Sequence, residues 1–257
     1  MRVKLPGVIV RVLLFGLLLC ASSTAYADTV AITNFNFITL TFNPATGTAV
    51  FTPTGATARA AATNSLGQNQ DITTTTFPVA QTTAVVTFAN TTVTTNAAGQ
   101  TASATSVASV AGCTCTASSF GIGVFTGTLL LLGGEGNVNV TLSLAHFATG
   151  QVSTDQFGTF AFAEVSYNVL VNGRGELSQD QMLREVEGPN QTGGFNLGGG
   201  GSRVLSLQFG VPHTIELRMS SVAAVTSEVP EPTTVVLLVS GLGFMTGVLK
   251  KRRKKID

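Results

Sequence analysis

Few residues of this chain combine a reactive type with a spacing that could do chemistry, and each has a plain structural reading beside the functional one. His146 ends an alternating apolar run and His213 follows Pro212 in a turn, and neither has a second ligand at metal-binding spacing, so both read as structural histidines. Cys113 and Cys115 form a Cys-x-Cys pair. It is open to three readings: a local disulfide, a half-site needing further metal ligands, or two loop residues. Export to an oxidising compartment favours the disulfide. Asp155, Glu164, Glu176, Asp180, Glu185 and Glu187 include enough carboxylates for a glycosidase pair, but sequence sets no separation between them and solvated charge is the better reading. No glycine-rich phosphate loop follows a strand, and no serine sits in a nucleophile elbow. The expectation is therefore no enzyme, no metal and no cofactor.

The stronger signals lie at the two ends. Arg2, Lys4 and Arg11 precede the apolar run Val12 to Leu19, and small residues follow up to Ala25-Tyr26-Ala27, the pattern of a cleavable export signal. Cleavage after Ala27 would leave Asp28 as the mature N-terminus. Near the other end stand Val229, Pro230, Glu231 and Pro232, then Thr233 to Leu249 without a charge, then the basic run Lys250 to Lys255. The 17 apolar residues would cover roughly 25 Å as a helix, a minimal membrane span. The basic flank predicts that this tail stays cytoplasmic and the region before it outside. Two prolines fix φ and remove two backbone donors, so the motif stays extended where a processing enzyme can grip it.

In that order, a Val-Pro-Glu-Pro motif, a short apolar helix and a terminal basic cluster resemble the PEP-CTERM sorting signal. The resemblance covers Val229 to Asp257 only. It implies a Gram-negative host that makes exopolysaccharide, and an exosortase that cuts near Pro230, Glu231 and Pro232. The implied partners are signal peptidase, exosortase, the inner membrane before processing, and exopolysaccharide. The implied destination is the cell surface or the extracellular space.

Composition points the same way. Charged residues are only 11% of the chain, and Thr, Ala, Gly and Val are abundant. The segment 28–229 holds five basic and eleven acidic residues, 5 − 11 = −6. That excludes the clustered basic face a nucleic-acid partner needs.

Between the ends the signals are those of strands. Val138, Val140, Leu142 and Leu144 alternate with polar residues, as do Val165 to Val171 and Ile215 to Met219. About ten such runs are expected, punctuated by turns, of which Asn172-Gly173 is the strongest hairpin signal. Ser178 to Glu187 reads as a short helical insert, with Ser178 and Gln181 as a capping box, and Gly188 to Gly201, with seven glycines in fourteen residues, reads as a flexible loop. The expected fold is all-β, an antiparallel β-sandwich of jelly-roll type with one helical insert, flanked by a signal helix and a transmembrane helix. The expected organisation is a signal peptide 1–27, a β-domain 28–225, a linker 226–232, a transmembrane helix 233–249 and a cytoplasmic tail 250–257. The expected function is a structural or adhesive role in an exopolysaccharide or biofilm layer. The alternatives are a glycan- or calcium-binding module, with Asn172 to Glu176 as calcium ligands, and, third, a secreted hydrolase.

Overall fold

The computed structural model describes residues 28–111, 113–154 and 159–227. The export signal with Ala25 and Ala27, the motif Val229 to Pro232, the apolar segment and the basic tail lie outside the described residues, as does Asp155. Asp28 opens the first strand.

Every regular element among the described residues is a strand, twelve against about ten expected. They are β1 (Asp28–Pro44), β2 (Thr48–Asn64), β3 (Asn69–Thr75), β4 (Val79–Val86), β5 (Ala89–Asn96), β6 (Thr101–Ala111), β7 (Cys115–Leu132), β8 (Asn137–Thr154), β9 (Thr159–Val171), β10 (Arg174–Glu187), β11 (Gln191–Gln208) and β12 (His213–Ser227). They form two six-stranded antiparallel sheets, one in the order β11-β8-β1-β6-β5-β4 and the other β10-β9-β12-β7-β2-β3.

The alternation places the core as the sequence predicts. Val140 and Leu142 of β8, Val165 and Val169 of β9, and Ile215, Leu217 and Met219 of β12 are all buried. Each fully buried side chain of this size contributes about 1.5–3 kcal/mol relative to exposure. The core is graded. Around β1, β8, β9 and β12 its large side chains are mostly Leu, Val, Ile and Phe, whereas β2, β4 and β6 contribute Ala56, Ala58, Ala60, Ala80, Ala84 and Ala104. Small residues on both inner faces let the backbones approach. A Cβ added at Gly121 of β7 would lie 2.8 Å from Val93 Cγ2 of the opposite sheet. Beside it a buried hydroxyl chain links the two sheets: Thr91 Oγ1 to Ser106 Oγ at 2.5 Å, and Ser106 Oγ to Ser221 Oγ at 2.7 Å.

Two expectations fail. Ser178 to Glu187 is strand, not helix: it belongs to β10, which pairs with β9 from Arg174↔Val171 to Glu187↔Phe160. A bulge between Gln179 and Met182 accommodates spacing that looked helical, and a ladder to a partner strand outweighs a local capping pattern. Gly188 to Gly201 is not a loop beyond its first residues. Gln191 to Gln208 pairs with β8 residue for residue, from Thr154 to Asn137. Its glycines fit an edge pressed against a neighbour: a Cβ at Gly200 would lie 2.6 Å from the Leu144 carbonyl oxygen, and one at Gly194 2.9 Å from that of Gly150. The hairpin at Asn172-Gly173 forms as predicted, with φ of 52° and 77°.

Candidate functional site

The residues singled out by type scatter rather than converge. Asn172 is absorbed by the fold: its amide meets His213 Nδ1 at 3.1 Å, and its oxygen accepts the Thr214 N–H at 2.9 Å. His213 Nε2 meets the Gln208 carbonyl at 3.1 Å, so both of its nitrogens are engaged and its role is structural. Glu176, the acidic member of the expected calcium loop, faces Arg203 Nε at 2.9 Å and Arg174 Nε at 3.7 Å. Its charge is matched already. Glu164, Glu185 and Glu187 stand on the outer faces of β9 and β10, and among the described residues no three His, Cys, Asp or Glu side chains gather as metal ligands. The Cys113 and Cys115 sulfurs are in bonding contact, their Cα atoms 5.4 Å apart, at the entrance to β7.

His146 differs from His213. It faces inward from β8, 6% exposed, against Tyr167 of β9, with ring centroids 5.0 Å apart. Neither ring nitrogen has a hydrogen-bond partner. Burial pushes its pKa below the ordinary imidazole value and raises that of the Tyr167 phenol.

The two outer faces of the molecule differ in a way no local pattern announces. The second sheet carries its charges outward: the bidentate pair of Arg59 with Asp71 at 3.0 and 2.6 Å, and the pair of Arg218 with Glu216. Between them runs a half-buried apolar stripe, Phe120, Ile122 and Val124 of β7. On the first sheet, the outward positions with described side chains bear no ionisable group across all six strands. Thr, Ser, Asn and Gln dominate instead. One row crosses the entire sheet through Asn196, Thr149, Asn34, Thr105, Thr92 and Thr83. Thr105 Oγ1 donates to Asn34 Oδ1 at 3.2 Å, and the Thr83 and Thr92 hydroxyls meet at 3.2 Å. Neighbouring members of such a row stand about 4.7–4.9 Å apart, the strand spacing.

At one end this face opens into a trough of about 640 Å³. β1 contributes Val30 and Ile32, β8 contributes Thr149, Gln151 and Ser153, and β11 contributes Thr192, Gly194 and Asn196. The register explains the grouping, because Ile32, Gln151 and Gly194 lie opposite one another on three adjacent strands. Gly194 lowers the β11 side at mid-row. None of the lining residues is ionisable. Sequence reasoning missed this site, since its parts come from three separate strands, the first more than a hundred residues before the other two.

The opposite margin is closed rather than open. Gln70 Oε1 accepts the Val85 N–H, and Gln68 Oε1 accepts the Thr87 N–H at 3.0 Å, so side chains from the β3 side occupy donors at the β4 edge. Asn64 braces Gln68 with an Nδ2 to Oε1 bond of 2.7 Å.

No family model and no curated protein matches the sequence. Among solved structures, a β-glucosidase from Kluyveromyces marxianus in complex with glucose aligns at 16% identity and a TM-score of 0.14, over 36% of this chain and 11% of that one. The chain thus spans about a ninth of that enzyme, and so slight a likeness carries no argument about fold or activity.

Proposed function

We propose that this is an exported, non-enzymatic surface or extracellular-matrix protein, delivered by its C-terminal tail through an exosortase, whose β-domain acts structurally or adhesively in an exopolysaccharide layer. The observation that carries the role is the outer face of the first sheet, whose described outward side chains are rich in hydroxyls and amides and carry no charge. A broad polar face without charge stays hydrated and soluble, yet offers dense hydrogen bonding to a polymer of like chemistry. The chain path, which crosses between sheets at seven of its eleven connections, supports a jelly-roll-like sandwich for this domain. The calcium-binding alternative loses support because Asn172 and Glu176 are already engaged. The trough holds no carboxylate among its described lining residues, so it lends the hydrolase reading no support.

Delivery is tested by fractionating the native host. Changing Pro230, Glu231 and Pro232 to Ala leaves the protein exported but held in the inner membrane with its tail uncut, detectable by mass. Deleting Thr233 to Asp257 releases it into the periplasm. Wild-type protein retained in the inner membrane with its basic tail intact would refute sorting and leave a plain anchor.

A further inference from the structure

We infer that the trough bounded by β1, β8 and β11 is a binding subsite for a single chain of neutral polysaccharide; this rests on the reading of the protein as a matrix component and names the ligand of its uncharged face. Three features select that ligand. The first is electrostatic. Among the described residues no lining side chain is ionisable, so an anionic polymer entering the trough would lose hydration and meet no cation in its lining. The second is the pairing of surfaces. Val30 and Ile32 present aliphatic carbon while Thr149, Gln151 and Asn196 present hydroxyl and amide groups, and a sugar ring likewise shows C–H faces and a rim of hydroxyls. Side-chain amides both donate and accept, which suits a hydroxyl of either orientation. The third is shape. At about 640 Å³ the trough is within the range of small-ligand sites, and it is an open channel on a sheet face rather than a closed pocket, so a polymer can pass through it.

Phe195 also lines the trough, but its ring packs over Gly150 and against the core rather than standing as a platform, so each single contact is weak. Repeating units along one polymer then supply many equivalent positions for a mobile, adhesive hold. Gln151 and Asn196 are exposed, so their truncation is compatible with folding.

The test is affinity electrophoresis of the purified full chain in mild detergent, in gels containing dextran, a soluble mixed-linkage β-glucan, galactomannan or, as the anionic arm, alginate. At least one neutral polymer should retard wild type, and alginate should not. The double variant Gln151→Ala/Asn196→Ala should weaken that retardation about tenfold, from the loss of two hydrogen-bonding groups. Gln81→Ala/Thr83→Ala, on β4 of the same face, should leave it unchanged. Thermal unfolding checks that both variants are folded. The inference is overturned if no neutral polymer retards the protein, if the trough variant binds as wild type does, if alginate binds as well, or if size exclusion shows the trough residues mediating self-association instead. Correct surface delivery without polymer binding would remove the subsite and leave the sorting reading standing. Polymer binding by a protein never released from the inner membrane would do the reverse.

Discussion

Replacing His146 by Phe should stabilise the protein, and the gain should grow on acidification. The imidazole is buried with both nitrogens unpartnered. Leaving a buried polar group without a hydrogen bond costs about 1–3 kcal/mol, and a phenyl ring removes that cost. Phe keeps the ring contact with Tyr167, and the extra volume is tolerable because nothing lies within 4 Å of the Cβ position of Gly199, which pairs with His146. For a domain of this size the gain corresponds to about 2–4 °C in Tm per kcal/mol. The pH dependence follows from linkage. Burial holds the folded-state pKa below the ordinary 6.5, so the unfolded chain binds the proton more readily. Wild-type stability is therefore undiminished by this group above pH 6.5 and falls as pH drops from there toward the folded pKa. The residues facing the ring, Ile38 of β1, Gly199 of β11 and Tyr167 of β9, bring no charge to offset protonation. The assay is thermal unfolding of both proteins from pH 8 to pH 5. The carboxylates are common to both, so the difference between the curves isolates His146. A variant no more stable than wild type, with a constant gap across that range, would refute the reasoning.

Three further outcomes follow from other parts of the molecule. Gln68→Ala/Gln70→Ala frees the Val85 and Thr87 amides beside exposed Val85 and Val79, so concentration-dependent association should increase in light scattering; an unchanged monomer fraction would show that these side chains do not guard the edge. Asn172→Ala puts a β-branch-free but Cβ-bearing residue at positive φ and removes its bonds to His213 and Thr214, and denaturant unfolding should register a loss of about 2–3 kcal/mol. Changing Cys113 and Cys115 to Ser opens a ring of only three residues, so unfolding should show a loss of about 1–2 kcal/mol at most, with secretion intact.

Much of the domain was legible locally. The period-two runs around Val140, Val169 and Leu217 identify buried strands because a pleated strand sends successive side chains to opposite faces, and Asn172-Gly173 identifies its hairpin because both residues tolerate positive φ. Those features depend only on neighbours in sequence. The segments misread were those whose conformation depends on a distant partner. Arg184 and Val186 look helical until β9 offers its ladder, and the glycines of β11 look like a loop until β8 does. The candidate site lies wholly on that side of the line. Composition announces that the chain is poor in charge, but only the pairing of β1 with β8 and of β8 with β11 gathers Ile32, Gln151 and Asn196 into one trough whose described lining carries no charge. Local sequence determines which way each side chain points along its own strand; the register between strands, set by closure of the core, decides which side chains become neighbours.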